Sequence, residues 1–358
     1  MKKKLILALV MGLALNLAAC GQKGADGTQA QTAAEETQSD AQTSAGTAGT
    51  QAESTESQGT EAETTGTEAE TGTAAGQGSL PTQDRAGNSI QVPEETERII
   101  SLMPASTQIL TDLGLKDQII AVDTQSPMYE EFSEEVLQFD MLEPDLEQII
   151  GSEPDVIFVS NLSSQGGEDI FAGVRDAGIC VAEIPTSNTI QDLKLDVQFV
   201  ADCVGKSAEG AELVAQMEEE IAAVKAIGDT ITEKKTVLFE ISPLPYLYSF
   251  GNGVYLNEML ELIGAENVLA DQEGWISVTE ESAVAANPDV ILTNDNFSSE
   301  DPVAEILARP GWENVTAVAQ KQVAYIDNGS SSLPNHHIVD ALKEMAKAVY
   351  PDEFAGLE

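Results

Sequence analysis

Basic residues are scarce in this chain: 17 Lys and Arg stand against 61 Asp and Glu, a formal net charge of −44 over 358 residues. Phosphate backbones are held by Lys and Arg, so nucleic acid is not expected as a partner, and an anionic lipid surface is disfavoured for the same reason. Histidine is scarcer still, with His336 and His337 the only two. There is no Ser-His-Asp succession, no HExxH and no cysteine with a plausible histidine partner. The phosphate-cradling stretches GxxxxGK[ST] and GxGxxG are missing as well. With no nucleophile or general base in evidence, the expected role is binding rather than catalysis, with no cofactor and no resident metal. Beyond Cys20, only Cys180 and Cys203 remain, and their spacing suggests no metal site. They could pair outside a cell, but one sits in an apolar strand and the other on an apolar helix face, which favours two buried thiols.

What is present begins with a secretory signal over 1–19: Lys2, Lys3 and Lys4, then an apolar core over 5–15, then small residues. The apolar run is too short for a comfortable membrane span. Its exit, Leu17-Ala18-Ala19-Cys20, resembles the lipobox of bacterial lipoproteins. That resemblance implies a lipidated Cys20 and a chain anchored on the extracytoplasmic face of the cell membrane. From 20 to 83 the chain is Thr, Ala, Gly, Gln, Ser and Glu with almost no large apolar residue. Such a segment cannot offset the entropy of ordering, and about 60 residues of it would reach about 45 Å as a tether.

The ordered part is organised around SAEGAELVAQMEEEIAAVKAI, where Ala208, Ala211, Val214, Met217, Ile221 and Val224 recur every three to four residues. This predicts one long helix, capped by Ser207 and ended at Gly228. On either side the chain repeats itself: DLEQIIGSEPDVIFVS before the helix and TEESAVAANPDVILTN after it. Each phrase reads as a short helix with an early glutamate, a Pro-Asp pair and a β-branched strand, an internal repeat. The expected organisation is a first lobe over 84–205, a connecting helix over 206–228 and a second lobe over 229–358. Locally, 84–88 reads as a hairpin turn leading to a strand at 90–92, and Ser106 or Thr107 as the cap of a helix after the strand at 99–102.

With SLMPASTQILTDLGL, the two Pro-Asp-Val-Ile phrases and GNGVYLNEMLELIGAENV followed by GWISVTEES, the region 98–351 resembles the substrate-binding proteins of ABC importers for vitamin B12, haem and iron-siderophores. The resemblance implies an α/β fold of two Rossmann-like lobes joined by one long rigid helix, with the ligand cleft between them. It also implies that Glu147 and Glu281, one per lobe, dock a permease dimer worked by ATPase subunits. Aromatic residues at Tyr248 and Trp275, each placed in a loop, match positions that sandwich a corrin in B12-binding members. First-lobe positions that are aromatic in some of those members are Gln125 and Met141 here.

His336 and His337 stand where many iron-siderophore binders carry arginine; they could offer an imidazole to haem iron or cobalt, opposite a Met141 thioether, or be surface or capping residues. Arginines are few in the folded region (Arg85, Arg98, Arg175 and Arg309), which argues against anionic chelates. The expected ligand is a metal chelate: cobalamin, haem or a siderophore. The expected protein is a monomer with a membrane anchor. The competing readings are a chelate-processing reductase or chelatase using the histidines, and a surface lipoprotein without a transport role.

Overall fold

The computed structural model describes residues 80–161 and 169–357. The signal over 1–19, Cys20 and all but the last residues of the tether lie outside the described residues. No helix among the described residues is long and apolar enough to cross a membrane.

In the first lobe, β1 (Ile99–Ser101), β2 (Ile119–Asp123), β3 (Leu137–Phe139), β4 (Val156–Ser160) and β5 (Cys180–Ile184) form one parallel sheet in the order β3-β2-β1-β4-β5. Helices α1 (Pro104–Asp112), α2 (Leu146–Gly151) and α3 (Ala172–Asp176) belong to it. Every residue of β1 and β4 is buried, as expected of central parallel strands covered on both faces.

Helices α4 (Ile190–Cys203) and α5 (Ser207–Gly228) follow, and the second lobe then contains β6 (Thr236–Glu240), β7 (Tyr248–Phe250), α6 (Tyr255–Leu262), β8 (Glu266–Asn267), β9 (Trp275–Ser277), α7 (Glu280–Ala286) and β10 (Val290–Thr293). It ends with α8 (Pro302–Leu307), α9 (Thr316–Ala319), β11 (Val323–Tyr325), α10 (Asn328–Ser332) and α11 (Ile338–Val349). Its parallel sheet runs β11-β10-β6-β8, and β7 pairs antiparallel with β9 in a separate ribbon. Strand order reverses between β1 and β4 in one lobe and between β6 and β10 in the other. In an open α/β sheet such a switch point opens a crevice at the carboxyl ends of the strands.

The repeated Pro-Asp pair is a structural device. Asp155 Oδ2 accepts the Glu97 and Arg98 amides at 2.8 Å each, while Asp289 Oδ2 accepts the Thr236 amide at 2.9 Å. Each aspartate thus ties the amino end of the outgoing strand to the central strand of its own sheet. In both lobes the residue before the proline is left-handed, Glu153 at φ 49° and Asn287 at φ 46°.

The long helix α5 connects the lobes, with α4 packed along it. Ile190 and Leu193 of α4 and Met217 and Val224 of α5 belong to the core of the second lobe. Val197, Val200 and Cys203 of α4 belong to the core of the first, against which Leu213 and Val214 of α5 pack. Both helices are therefore anchored in both cores, and bending at the junction would disturb close-packed side chains. The stripe on α5 also differs at its start: Ala208 and Ala211 are exposed, and Gly210 is the buried residue. A Cβ at Gly210 would collide with Ala201 of α4, and one at Gly228 with the Leu262 carbonyl of α6, so two glycines set the close approaches at either end.

Three local expectations are corrected. Ser207 lies inside α5, whose cap is Lys206 with no side-chain bond. Helix α1 starts at Pro104, and Ser106 and Thr107 lie in its first turn, bonding back to the Met103 carbonyl at 3.0 Å each. The hairpin reduces to a single bridge, Gln83 to Ser89, because Asp84 fills the turn with bonds to the Ala86 and Asn88 amides and reaches Glu183 of β5. Cys180 and Cys203 are both free and buried.

Candidate functional site

The carboxyl ends of the two sheets carry the candidate residues. Gln125 follows β2, and its amide is held at 2.7 Å by Asp123, a fully buried carboxyl that burial pushes up. Ser126 Oγ bridges Asp123 to Thr107 (3.0 Å), and Thr107 Oγ1 donates to Ser101 Oγ (2.8 Å). This buried hydroxyl chain fixes the loop after β2 to the start of α1. Met141 follows β3, beside Asp140, which accepts the Leu142 amide at 2.8 Å.

Tyr248 and Trp275 lie on the β7–β9 ribbon rather than in loops, with Tyr248 opposite Ser277 and Phe250 opposite Trp275. Residues two apart share a strand face, so Tyr248 and Trp275 stand on the same side of the ribbon. Trp275 meets Phe250 and Tyr255 edge-on at 6.0 and 6.1 Å, half-buried, which presents part of its ring while the rest is packed. The Tyr248 hydroxyl is pushed up by burial.

A cavity of about 730 Å³ lies between the lobes, lined by Gln108, Met128 and Tyr129 of the first and by Asn296, Asp327 and His337 among residues of the second. Tyr129 Oη donates to Asn328 Oδ1 across it at 3.2 Å. Its wall carries both signs of charge: Asp340 and Glu344 line it beside Lys347, and the Glu344 carboxyl is pushed up by burial and by Asp327 and Asp340. Lys343, on the same wall, is paired with Glu220 of α5 at 2.8 Å.

His336 and His337 are brought together with a residue that sequence reasoning did not single out. Both Nε2 atoms meet Asp112 Oδ2 at the end of α1, at 3.0 and 2.7 Å. Burial alone would raise the Asp112 carboxyl, but the two imidazoles outweigh it and hold it below the usual range. The hydrogen bond to Asp112, with Asp340 behind, pushes His337 up to about 9.

Glu147 and Glu281 occupy equivalent places, each exposed in the first turn of the short helix that precedes a Pro-Asp pair. Asp145 and Thr279 cap these helices by accepting the Gln148 and Ser282 amides at 3.0 and 3.2 Å. Because each helix runs back before its strand, its amino end lies toward the carboxyl edge of the sheet. Trp312, fully buried, holds α7 in place by donating from Nε1 to Glu280 at 3.0 Å.

Sequence reasoning missed three exposed side chains on segments leaving strand ends: Tyr246 at 81%, Met128 at 51% and Phe297 at 48%. The signal available was a large apolar residue next to turn-forming residues in a segment leaving a strand end, as in LPYLY, SPMYE and DNFSS. All four arginines are committed elsewhere: Arg85 to Asp196, Arg98 to the Ser152 and Glu153 carbonyls, Arg175 to Asp169 and Arg309 to Glu240.

Residues 99–329 match the periplasmic binding protein family. The chain belongs to that family. Its relatives include the uncharacterized ABC transporter substrate-binding lipoprotein YvrC of Bacillus subtilis (strain 168), 28% identical over 273 residues that make up 76% of this chain and 85% of the relative. A cobalamin-binding protein of Halobacterium salinarum is 23% identical over 275 residues, 75% of this chain and 73% of that one. Among solved structures, a possible iron-binding periplasmic solute-binding protein from Staphylococcus epidermidis ATCC 12228 superposes with a TM-score of 0.63 at 26% identity, covering 72% of this periplasmic binding protein and 100% of the other chain.

Proposed function

We propose that this periplasmic binding protein is the substrate-binding component of an ABC importer, capturing a metal chelate between its lobes and delivering it to a permease dimer driven by ATPase subunits. The observation that carries the reading is the duplicated lobe: two like-ordered sheets, each with an exposed glutamate, Glu147 or Glu281, as the second residue of the short helix that precedes its Pro-Asp pair. A partner built of two subunits is recognised by such paired charges, which set orientation and encounter rate. Tethered through Cys20, the folded part can meet that permease at the membrane surface. Binding and release suffice for this role, and no turnover of the ligand is required.

For the ligand we propose a metal macrocycle or chelate of the cobalamin, haem or siderophore class. The committed arginines argue against an anionic catecholate or citrate chelate. Tyr248, Trp275, Gln125 and Met141 are the proposed contacts, joined by the exposed Tyr246, Met128 and Phe297, since aromatic and thioether surfaces suit a large flat ligand. An imidazole from His336 or His337 would first have to leave Asp112.

The test is a visible-spectrum titration of the full chain with a cobalamin, haem and a ferric siderophore in turn. One ligand is expected to bind at one equivalent, with weaker binding in Trp275→Ala and Tyr248→Ala. Failure of all three to bind would refute the chelate assignment.

A further inference from the structure

We propose that Asp112, His336 and His337 form a site for a divalent transition cation of the zinc class, which clasps the first lobe to the second. The three donors come from opposite lobes: Asp112 ends α1, while His336 and His337 lead into α11, where His337 is the helix cap. One ligand atom from each lies within 4.8 Å of the other two. The donor set, two imidazoles and one carboxylate, is the kind that zinc and its neighbours take, whereas calcium and magnesium require oxygen ligands.

The geometry needs little adjustment. With bonds of about 2.0–2.2 Å to nitrogen and oxygen, tetrahedral donors stand roughly 3.3–3.6 Å apart. The two Nε2 atoms are 3.0 and 2.7 Å from Asp112 Oδ2, so the donors would part by less than about 1 Å to admit an ion. The histidine loop is held against α1 independently of Asp112. Fully buried Asn335 donates to Gln108 Oε1 at 2.7 Å and to the Ala105 carbonyl at 3.4 Å, and accepts the His337 amide at 2.9 Å. Two imidazoles are thereby aimed at one carboxylate by a scaffold that would persist if that carboxylate were removed.

An outer partner is present as well. His337 Nδ1 lies 3.6 Å from Asp340 Oδ2, so an ion that displaced the Nε2 proton would leave Nδ1–H facing a carboxylate, the placement that orients a ligating histidine. Asp112 and His337 are each about a third exposed, so an ion can enter and a water can fill the remaining position. Because the ligands span the lobes, the bound ion would resist their separation, and stability would rise with metal concentration through linkage.

The decisive experiment uses the full chain freed of metal with a chelator and titrated with Co²⁺ and then Zn²⁺. We expect one equivalent of Co²⁺ to give a visible d–d band that Zn²⁺ abolishes, and Zn²⁺ to raise the melting temperature. In Asp112→Asn, and separately in His336→Ala with His337→Ala, Co²⁺ affinity should fall at least about tenfold and the zinc-dependent rise should vanish. Should the histidine variant fail to fold, the near-isosteric Asp112→Asn chain decides the matter. Absence of stoichiometric Co²⁺ binding to the parent chain, or the same affinity and the same zinc-dependent rise in Asp112→Asn, would overturn the assignment.

Discussion

Arg309 and Glu240 form a bidentate ion pair inside the second lobe, with Nη1 to Oε2 at 2.8 Å and Nη2 to Oε1 at 3.0 Å, and both side chains are almost wholly buried. Burial alone would depress the guanidinium, but the Glu240 and Glu305 carboxylates outweigh it and keep it charged. The pair stands at the carboxyl end of β6, next to the switch point, with the guanidinium over the Trp312 ring at 4.8 Å. Replacing one partner leaves the other charge buried without compensation. Arg309→Met should therefore cost roughly 3–5 kcal/mol, and adding Glu240→Leu should recover most of it. Denaturant midpoints at unchanged slope would register both effects.

The close approaches at the ends of α5 make a second test. Alanine favours a helix over glycine by about 1 kcal/mol, yet overpacking typically costs 1–3 kcal/mol, so Gly210→Ala and Gly228→Ala should both lower the melting temperature. Gly228→Ala should lower it more, since the obstruction there is backbone of α6, whereas at Gly210 it is the Ala201 methyl. Thermal unfolding of the two variants side by side would check the ranking.

The left-handed residues before the two prolines predict opposite outcomes. Asparagine tolerates this conformation better than other side chains, for which it costs about 1–2 kcal/mol. Glu153→Asn should then stabilise the chain by roughly 0.5–1 kcal/mol. Asn287→Ala should destabilise it by about 1 kcal/mol or more, because Asn287 Oδ1 also accepts the Thr316 amide at 2.9 Å.

The buried thiols carry a pH dependence. Burial pushes Cys180 up to about 11 and Cys203 further up. A folded-state value above the unfolded one means that the contribution is complete below about pH 8.5 and is lost as pH rises through 11. Melting temperature should fall across that alkaline window. In a Cys20→Ala chain neither thiol should react with a disulfide reagent at pH 8 until denaturant is added, and fast native labelling would contradict the burial.

Much of this architecture was legible because local and tertiary preferences agree. The runs Val290–Thr293 and Ile338–Val349 have the periods of a buried strand and an amphipathic helix, and the helix Glu280–Ala286 begins at a Thr cap. The paired phrases announced the duplicated lobe for the same reason. The antiparallel pairing that puts Tyr248 and Trp275 on one ribbon was hidden, since three-residue strands carry too little pattern to register. The partner of the histidines was hidden too: Asp112 lies more than two hundred positions away, and the docking of Asn335 on α1 helps bring them together. Likewise, the apolar spacing in α5 was visible, but the choice of Gly210 over Ala208 and Ala211 for the buried face depends on where α4 lies.

The most direct measurement of the central proposal is uptake by cells expressing the chain with its permease, in parallel with ligand affinity of the purified protein. For Glu147→Ala combined with Glu281→Ala, affinity should stay within about twofold while uptake is abolished, since exposed charges of this kind govern docking. Undiminished uptake in that variant, or a matching loss of affinity and uptake, would contradict the account.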